Sequence, residues 1–492
     1  MLEFAGQTAL ALVAGGALLL SYRRIRRSAP LAAHLFTIGL LARLAIGLGL
    51  AMSWLAAGTP NGIDGPDPRW FPDAQMYYVA AVDAAANGLG RVEDTEASPV
   101  FVRTLALWMR FTGDTHAGAH LLNVLVFAGL CVGICVVATR RGDRRGQQVA
   151  ALVIGAFALS PNLIILASQP LKDTLFFGAL ACVAISLEEL LSDDPVRLVR
   201  LCAVPLAGIL LGVYVMSGMR AYFGLMILGL LGAVLAFRAL MLTSRRAVPW
   251  PYLARAAVLL AVVWLGCRIG GGPYYSLFVD PFLAPVTVRL DAAVSRVREA
   301  AGFGAGTAST TPAVPDGGLL SVVERSRRGF ETSGGATNMA PPELDRSTRT
   351  GVMSRLAGAL LGLGAVFVPV SLLRATGLVT FEGGGRFLLL TDVDTLYLDG
   401  AVAWCLVFVW RRRTAITGGW TLAAVLLLLG TVGAVLVGYV VTNYGTLFRL
   451  RLLAVVPFWL LPLVVADRST FGPTDVAAGG GTQDSRECHR PA

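Results

Sequence analysis

Charges are sparse in this chain, and the few that fall at the ends of long apolar runs stand out. Lys172 and Asp173 open one such run, Arg220 sits in the turn Ser217 to Ala221 between two others, and Arg449 with Arg451 precedes the last. The connection 58–98 adds Asp64, Asp67 and Asp73. Each cation taken singly reads as an interfacial anchor whose head snorkels to water. Taken together on one side of a membrane, cations beside a carboxylate are what a reaction on a lipid-linked phosphate needs. The cations hold the phosphate as charge develops on it, and the carboxylate takes a proton from the attacking hydroxyl. A nearby anion also favours the oxocarbenium character of a sugar carbon under attack.

The elements that must position these residues are legible from composition. Of 492 residues, 55% are hydrophobic and 15% charged, more apolar side chain than a water-soluble fold can bury. Apolar runs of about 17 to 25 residues recur, the length that crosses a bilayer as helix. The expected fold is therefore all-α, a polytopic transmembrane helix bundle of about eleven spans, with the lipid bilayer as solvent. A net charge of +10 would suit nucleic acid, but the basic residues cluster between apolar runs without aromatic interleaving, so no nucleic-acid partner is expected. Six of the seven cysteines lie in or beside apolar runs and the seventh, Cys488, in the tail, which gives neither a disulfide framework nor a zinc motif.

Topology follows from the arginines. The run 5–21 has no basic residue before it and is followed by Arg23, Arg24, Arg26 and Arg27, so the amino terminus is expected outside. Arg140, Arg141, Arg144 and Arg145, then Arg197 and Arg200, Arg245 and Arg246, and Arg411 to Arg413 recur every second loop, which marks the cytoplasmic side. Counting 356–373 as a span would move Arg411 to Arg413 and the carboxy terminus outside, so that stretch is expected to be a re-entrant or interfacial helix. The acidic connection, Lys172, Asp173, Arg220, Arg449 and Arg451 then share the outer face, in a bacterium the periplasmic face of the plasma (inner) membrane. The chain divides into an extra amino-terminal span and cytoplasmic loop, 1–30, a transmembrane core, 31–267, with an outer loop at 58–116, and a long outer loop, 268–395. The carboxy-terminal spans, 396–466, and a disordered cytoplasmic tail, 467–492, follow. Within the first outer loop, Met76, Val79, Ala80, Val82 and Ala84 suit a helix lying on the membrane surface.

At Phe71-Pro-Asp-Ala-Gln-Met-Tyr-Tyr78, followed by Ala80, Ala81, Ala84 and Asn87-Gly88, the sequence resembles the first outer loop of GT-C-type membrane glycosyltransferases. Further stretches look like the same family: 113–123 entering a span, Ala158-Leu-Ser-Pro161 leaving one, Gly218-Met-Arg-Ala-Tyr222 in a tight outer turn, and Asn443-Tyr-Gly-Thr-Leu-Phe-Arg449 through Pro457. Such proteins take sugar from a polyprenyl-phosphate carrier and transfer it outside the cytoplasm to a lipid, glycan or protein acceptor. The resemblance implies that Asp73 is the catalytic base, with Tyr77 or Tyr78 beside it, and that Arg220 and Arg449 contact the carrier phosphate. Lys172, Asp173, Asn443, Tyr444 and Arg451 complete the expected substrate-binding set. Departures from the family are the extra first span, the lack of an acidic neighbour at Asp73, and 268–386, which matches no member.

Two other readings remain open. The long loop with Arg325, Arg327 and Arg328 suits an O-antigen or exopolysaccharide polymerase or ligase acting on a lipid diphosphate. A non-catalytic transporter of a lipid-linked glycan would instead show acids buried at mid-span. No cofactor is firmly expected. Asp64 and Asp67 could help Asp73 hold a divalent cation, and His116 with His120 shares one helical face without a third ligand. Asp392-Val-Asp394 imitates a nucleotide-sugar metal pair on the wrong side of the membrane, and Gly383-Gly-Gly385 reads as a flexible turn.

Overall fold

The computed structural model describes residues 2–56, 72–92, 98–113, 115–140, 142–191, 203–243, 250, 252–271, 360, 362–376, 385–416, 419–441 and 444–466. Every regular element among them is a helix. Among the described residues, seven helices are long and apolar enough to cross a membrane: Pro30–Met52, Ala117–Ala138, Ala221–Met241, Tyr252–Gly271, Leu389–Arg411, Trp420–Val440 and Thr446–Ala466. One bent pair makes up to eight. The protein is thus a multi-pass helical membrane protein. Leu41, Leu48, Leu211, Phe237, Leu240 and Trp404 are exposed on the outside of the bundle, as lipid-facing side chains must be.

The helices are numbered α1 (Leu2–Ser28), α2 (Pro30–Ala56), α3 (Pro72–Asn87), α4 (Pro99–Thr112), α5 (His116–Ala138), α6 (Arg144–Leu159), α7 (Pro161–Ala167), α8 (Asp173–Leu191), α9 (Ala203–Met219) and α10 (Ala221–Thr243). They continue with α11 (Tyr252–Gly271), α12 (Val370–Ala375), α13 (Gly385–Arg411), α14 (Trp420–Val440), α15 (Tyr444–Leu450), α16 (Leu452–Leu460) and α17 (Leu463–Ala466). The stretch α15 to α17 is the hub of the bundle, with all of α16 and α17 buried and Trp459 set edge-on against Phe157 at 5.4 Å.

One apolar run is sharply bent. Val149 to Ser168 bends by 62° between α6 and α7. Pro161 has no N–H to continue the ladder and disfavours helical geometry at Ser160, whose hydroxyl instead accepts the Leu163 N–H. The bend frees the carbonyls of Phe157 and Ala158, and both accept from Arg43 of α2. The final run, Thr446–Ala466, stays one span: Leu461 before Pro462 keeps right-handed helical angles, and only the regular hydrogen bonding is interrupted between α16 and α17. In 362–376 the expected single helix is two short ones separated at Val368 and Pro369; 356–359 lie outside the described residues.

A helix does form over the expected stretch, as α3; of the five residues expected on its apolar face, Ala84 is buried and Val79, Ala80 and Val82 are half-buried. Ala74, Tyr77, Tyr78, Ala81 and Ala84 are buried, following helical spacing, and α3 packs on α4, while Met76 is half exposed. Packing against protein decides the face, and the residues turned inward include both tyrosines.

Candidate functional site

Four separate chain segments deliver charge to one end of the bundle. Asp73 lies in the first turn of α3, where a carboxylate complements the helix N-terminus. Lys172 and Asp173 lie in and just after the turn that joins α7 to α8, Arg220 is the single non-helical residue between α9 and α10, and Arg449 is in the last turn of α15. Gly218 lets the Arg220 turn approach α4, because a Cβ there would fall 2.1 Å from Val100 Cγ2.

These side chains form one connected network. Arg449 Nη1 is 2.7 Å from Asp73 Oδ2, and its Nε is 3.3 Å from Asp173 Oδ2, close enough for ion pairing though off the line of a hydrogen bond. Arg220 Nη2 donates to Asp173 Oδ1 at 2.6 Å, and the guanidinium lies over the Phe176 ring. Lys172 Nζ donates to Ser98 Oγ and, at 3.3 Å, to the Met219 carbonyl, with the Tyr77 ring 5.3 Å away. The Tyr77 hydroxyl lies 3.5 Å from Ser98 Oγ, and its ring stands edge-on to Phe101.

Exposure grades this network from inside to outside. Asp173 is fully buried, the Arg220 and Arg449 side chains are 5% and 11% exposed, and Asp73 is 43% exposed. Burial pulls the Lys172 ammonium down to about 7, with the Arg220 and Arg449 guanidiniums acting in the same direction and Asp173 and Asp73 partly opposing them. Burial also holds the Tyr77 phenol above its ordinary value, so it remains a neutral hydroxyl. Among the described residues, Lys172, Arg220 and Arg449 face Asp73 and Asp173. When Lys172 is protonated, this leaves a surplus of one positive charge at a mouth that reaches solvent. Such a site can accept an anion.

Of the residues singled out from sequence, Asp73, Tyr77, Lys172, Asp173, Arg220 and Arg449 are brought together here, and Tyr78 is buried on the same face of α3. Arg451 is not. It is sealed in a separate contact with Asp394 of α13, Thr395 Oγ1 and the Thr391 carbonyl. Asp394 also accepts the Asn162 N–H at 2.9 Å, while Asp392 accepts the Ser371 N–H at 3.2 Å, so the two acids of the Asp-Val-Asp run bond to different partners. Asn443, Asp64, Asp67, Arg325, Arg327 and Arg328 lie outside the described residues, as do the side chains of Tyr444 and His116. His120 is buried with Nδ1 2.9 Å from the Ala167 carbonyl, and no metal-ligating group of three or more His, Cys, Asp or Glu occurs among the described residues.

Sequence reasoning missed Ser98, Asn162 and Arg43. Ser98 precedes Pro99 at the start of α4 and reads there as a helix cap, yet it caps nothing and serves Lys172 instead. Arg43 did carry a signal, since an arginine inside the apolar run Pro30–Met52 demands a partner. Its partners are the freed α6 carbonyls and the Phe127 ring at 3.8 Å.

No protein-family model matches the chain, and neither does any curated protein or solved structure. The functional reading therefore rests on the geometry of the site and on the sequence motifs.

Proposed function

We propose that the protein is a membrane glycosyltransferase that moves a sugar from a polyprenyl-phosphate carrier to a lipid, glycan or protein acceptor on the outer face of a bacterial plasma membrane. The reading takes the bundle as eleven spans with the amino terminus outside, which sets the Asp73 network at the outer interface. The observation that carries it is the ion network itself: a half-exposed carboxylate shares one arginine with a buried carboxylate, and two further cations stand behind it. The guanidiniums and Lys172 would hold the carrier phosphate. The acceptor hydroxyl oxygen would bond to the anomeric carbon as the carbon–oxygen bond to phosphate breaks, the electron pair leaving on the phosphate oxygen. Asp73 would take the hydroxyl proton.

The charge surplus favours this carrier class. A sugar joined through a single phosphodiester brings one negative charge and would neutralise the described residues of the site, whereas a diphosphate would overshoot. The test is transfer by the purified protein in lipid nanodiscs supplied with polyprenyl-phosphate-linked sugar and a membrane extract as acceptor source. Asp73→Asn should fold normally and lose transfer by at least about a hundredfold. Full activity in that variant would remove Asp73 from the base role.

A second reading, a transporter of a lipid-linked glycan, is favoured by one observation. Asp399 stands near the middle of the span Leu389–Arg411 with its Oδ1 buried and without a hydrogen-bond partner. Asp399→Asn separates the two: it should abolish transport and spare transfer.

A further inference from the structure

Arg449 is held by two carboxylates of opposite character. Asp173 is wholly buried and also tied to Arg220, so it has no freedom to leave. Asp73 is 43% exposed, on the solvated edge of the network, and meets Arg449 at Nη1. The Asp73 oxygen that faces the site is thus engaged by the guanidinium that would meet an incoming anion. A carboxylate and a phosphate oxygen compete for the same N–H donors, and phosphate offers more oxygens to a planar guanidinium.

We infer that the Asp73–Arg449 ion pair is a latch that an anionic head group opens: a lipid-linked phosphate displaces Asp73 from Arg449, and the freed carboxylate then faces the acceptor. The inference rests on the proposed transferase reading for its purpose and not for its evidence. Asp173 keeps Arg449 in place throughout, because its contact with Nε is on the buried side of the guanidinium. Lys172 and Arg220 are buried where Asp73 is half exposed, so an anion arriving from solvent would meet the latch before it gains them. The arrangement ties liberation of the proton acceptor to arrival of the phosphate and keeps the outer acid and cation paired until then.

Binding of an unsugared polyprenyl monophosphate, which cannot be transferred, tests the latch without any turnover. Affinity is measured at one pH for the full chain in nanodiscs, for Asp73→Asn, for Arg449→Met and for the double variant, with inorganic phosphate run in parallel. Asp73→Asn removes the competitor and should tighten binding about two- to fivefold, the range expected for a partly exposed ion pair. In the Arg449→Met background that gain should vanish, because the competition is for Arg449. Tightening that persists without Arg449 would mean that Asp73 acts only through the general field of the site, and unchanged or weaker binding by Asp73→Asn would also overturn the latch. Should Arg449→Met not fold, Arg449→Lys takes its place in the cycle, with the gain reduced. Tightening for inorganic phosphate as well as the lipid supports competition at the head group itself; tightening for the lipid alone supports it with the chain required for entry. Loss of transfer activity bears on the transferase reading alone, since none of these measurements uses it.

Discussion

Arg449 and Arg451 are two residues apart and meet opposite fates. Arg449 reaches the mouth of a mixed network whose outer acid is 43% exposed, whereas Arg451 is 1% exposed and paired with an Asp394 that is not exposed at all. Along a helical path two residues turn by about 200°, and Arg451 keeps helical backbone angles, so the two side chains must leave the chain in nearly opposite directions. One faces Asp73 of α3 and Asp173 of α8; the other faces α13 and the start of α7. In the sealed contact the two terminal nitrogens of Arg451 are taken by Asp394, Thr395 Oγ1 and the Thr391 carbonyl, and only the buried Nε is left without a partner, out of reach of a ligand from solvent. It fixes the hub in place, aided by Asn162, which takes its N–H to Asp394 and its amide to the Phe448 carbonyl next to Arg449. The open network has a surplus cation and a solvated edge, which suits binding.

The largest expected effect breaks the sealed side. Arg451→Met leaves Asp394 buried without its counter-charge and should cost about 3–5 kcal/mol, read as a large fall in apparent melting temperature and in the monodisperse fraction in detergent. Arg451→Met combined with Asp394→Leu should recover most of that loss, because no charge is then stranded. Arg449→Met should cost far less stability, as Asp73 is solvated and Asp173 retains Arg220. Similar losses at both arginines would mean that the open network is structural too.

The next effect sharpens the open side by pH. Lys172 titrates near 7, so anion binding should be strongest below that value. As pH rises the site loses its surplus charge, and affinity should fall by up to about tenfold per pH unit until the raised pKa of the bound state is reached. A phosphodiester probe is required, since a phosphomonoester itself titrates near 6. Stability moves the other way. The folded-state value lies below the ordinary 10.5, so the unfolded chain binds more protons between about 7 and 10.5, and folding gains as pH rises through that window. Lys172→Met should flatten the binding curve; a slope that survives in this variant would assign the titration to another group.

Hydropathy made the helical membrane class legible, and the expense of charge near hydrocarbon pointed to Lys172, Asp173, Arg220 and Arg449. The same argument put Arg451 with them, because position along a chain says which end of a helix a residue is near and not which way it faces. Ser98, Asn162 and the pairing of Asp394 with Arg451 stayed hidden for a related reason. Their roles arise from contacts across long separations, such as Asn162 with Asp394, 232 positions apart, and no local pattern encodes them. The break at Ser160 was visible as a Ser-Pro pair, but only packing against Arg43 and Asp394 shows why the chain turns there and does not simply kink.

The smallest effect lies near the far end of α8, where Glu189 is roughly 24 Å from Asp173 by helical rise. There Arg140, in the turn after α5, meets Glu189 at 2.6 Å and Glu188 at 4.0 Å, and Arg412 donates to Gln148 at 2.7 Å, so two of the basic clusters expected on one side of the membrane do meet at that end. Arg140 and Glu189 are 23% and 25% exposed, which leaves both partly hydrated and their attraction screened. The pair has geometry as good as that of Arg220 with Asp173, yet solvent access differs, and solvent access sets the worth of an ion pair more than length does. Glu189→Gln should therefore lower stability by less than about 1 kcal/mol, with the loss shrinking at high salt, whereas Asp394→Asn should be insensitive to salt. A salt-independent loss at Glu189 as large as that at Asp394 would show that burial is not what distinguishes the charged contacts of this bundle.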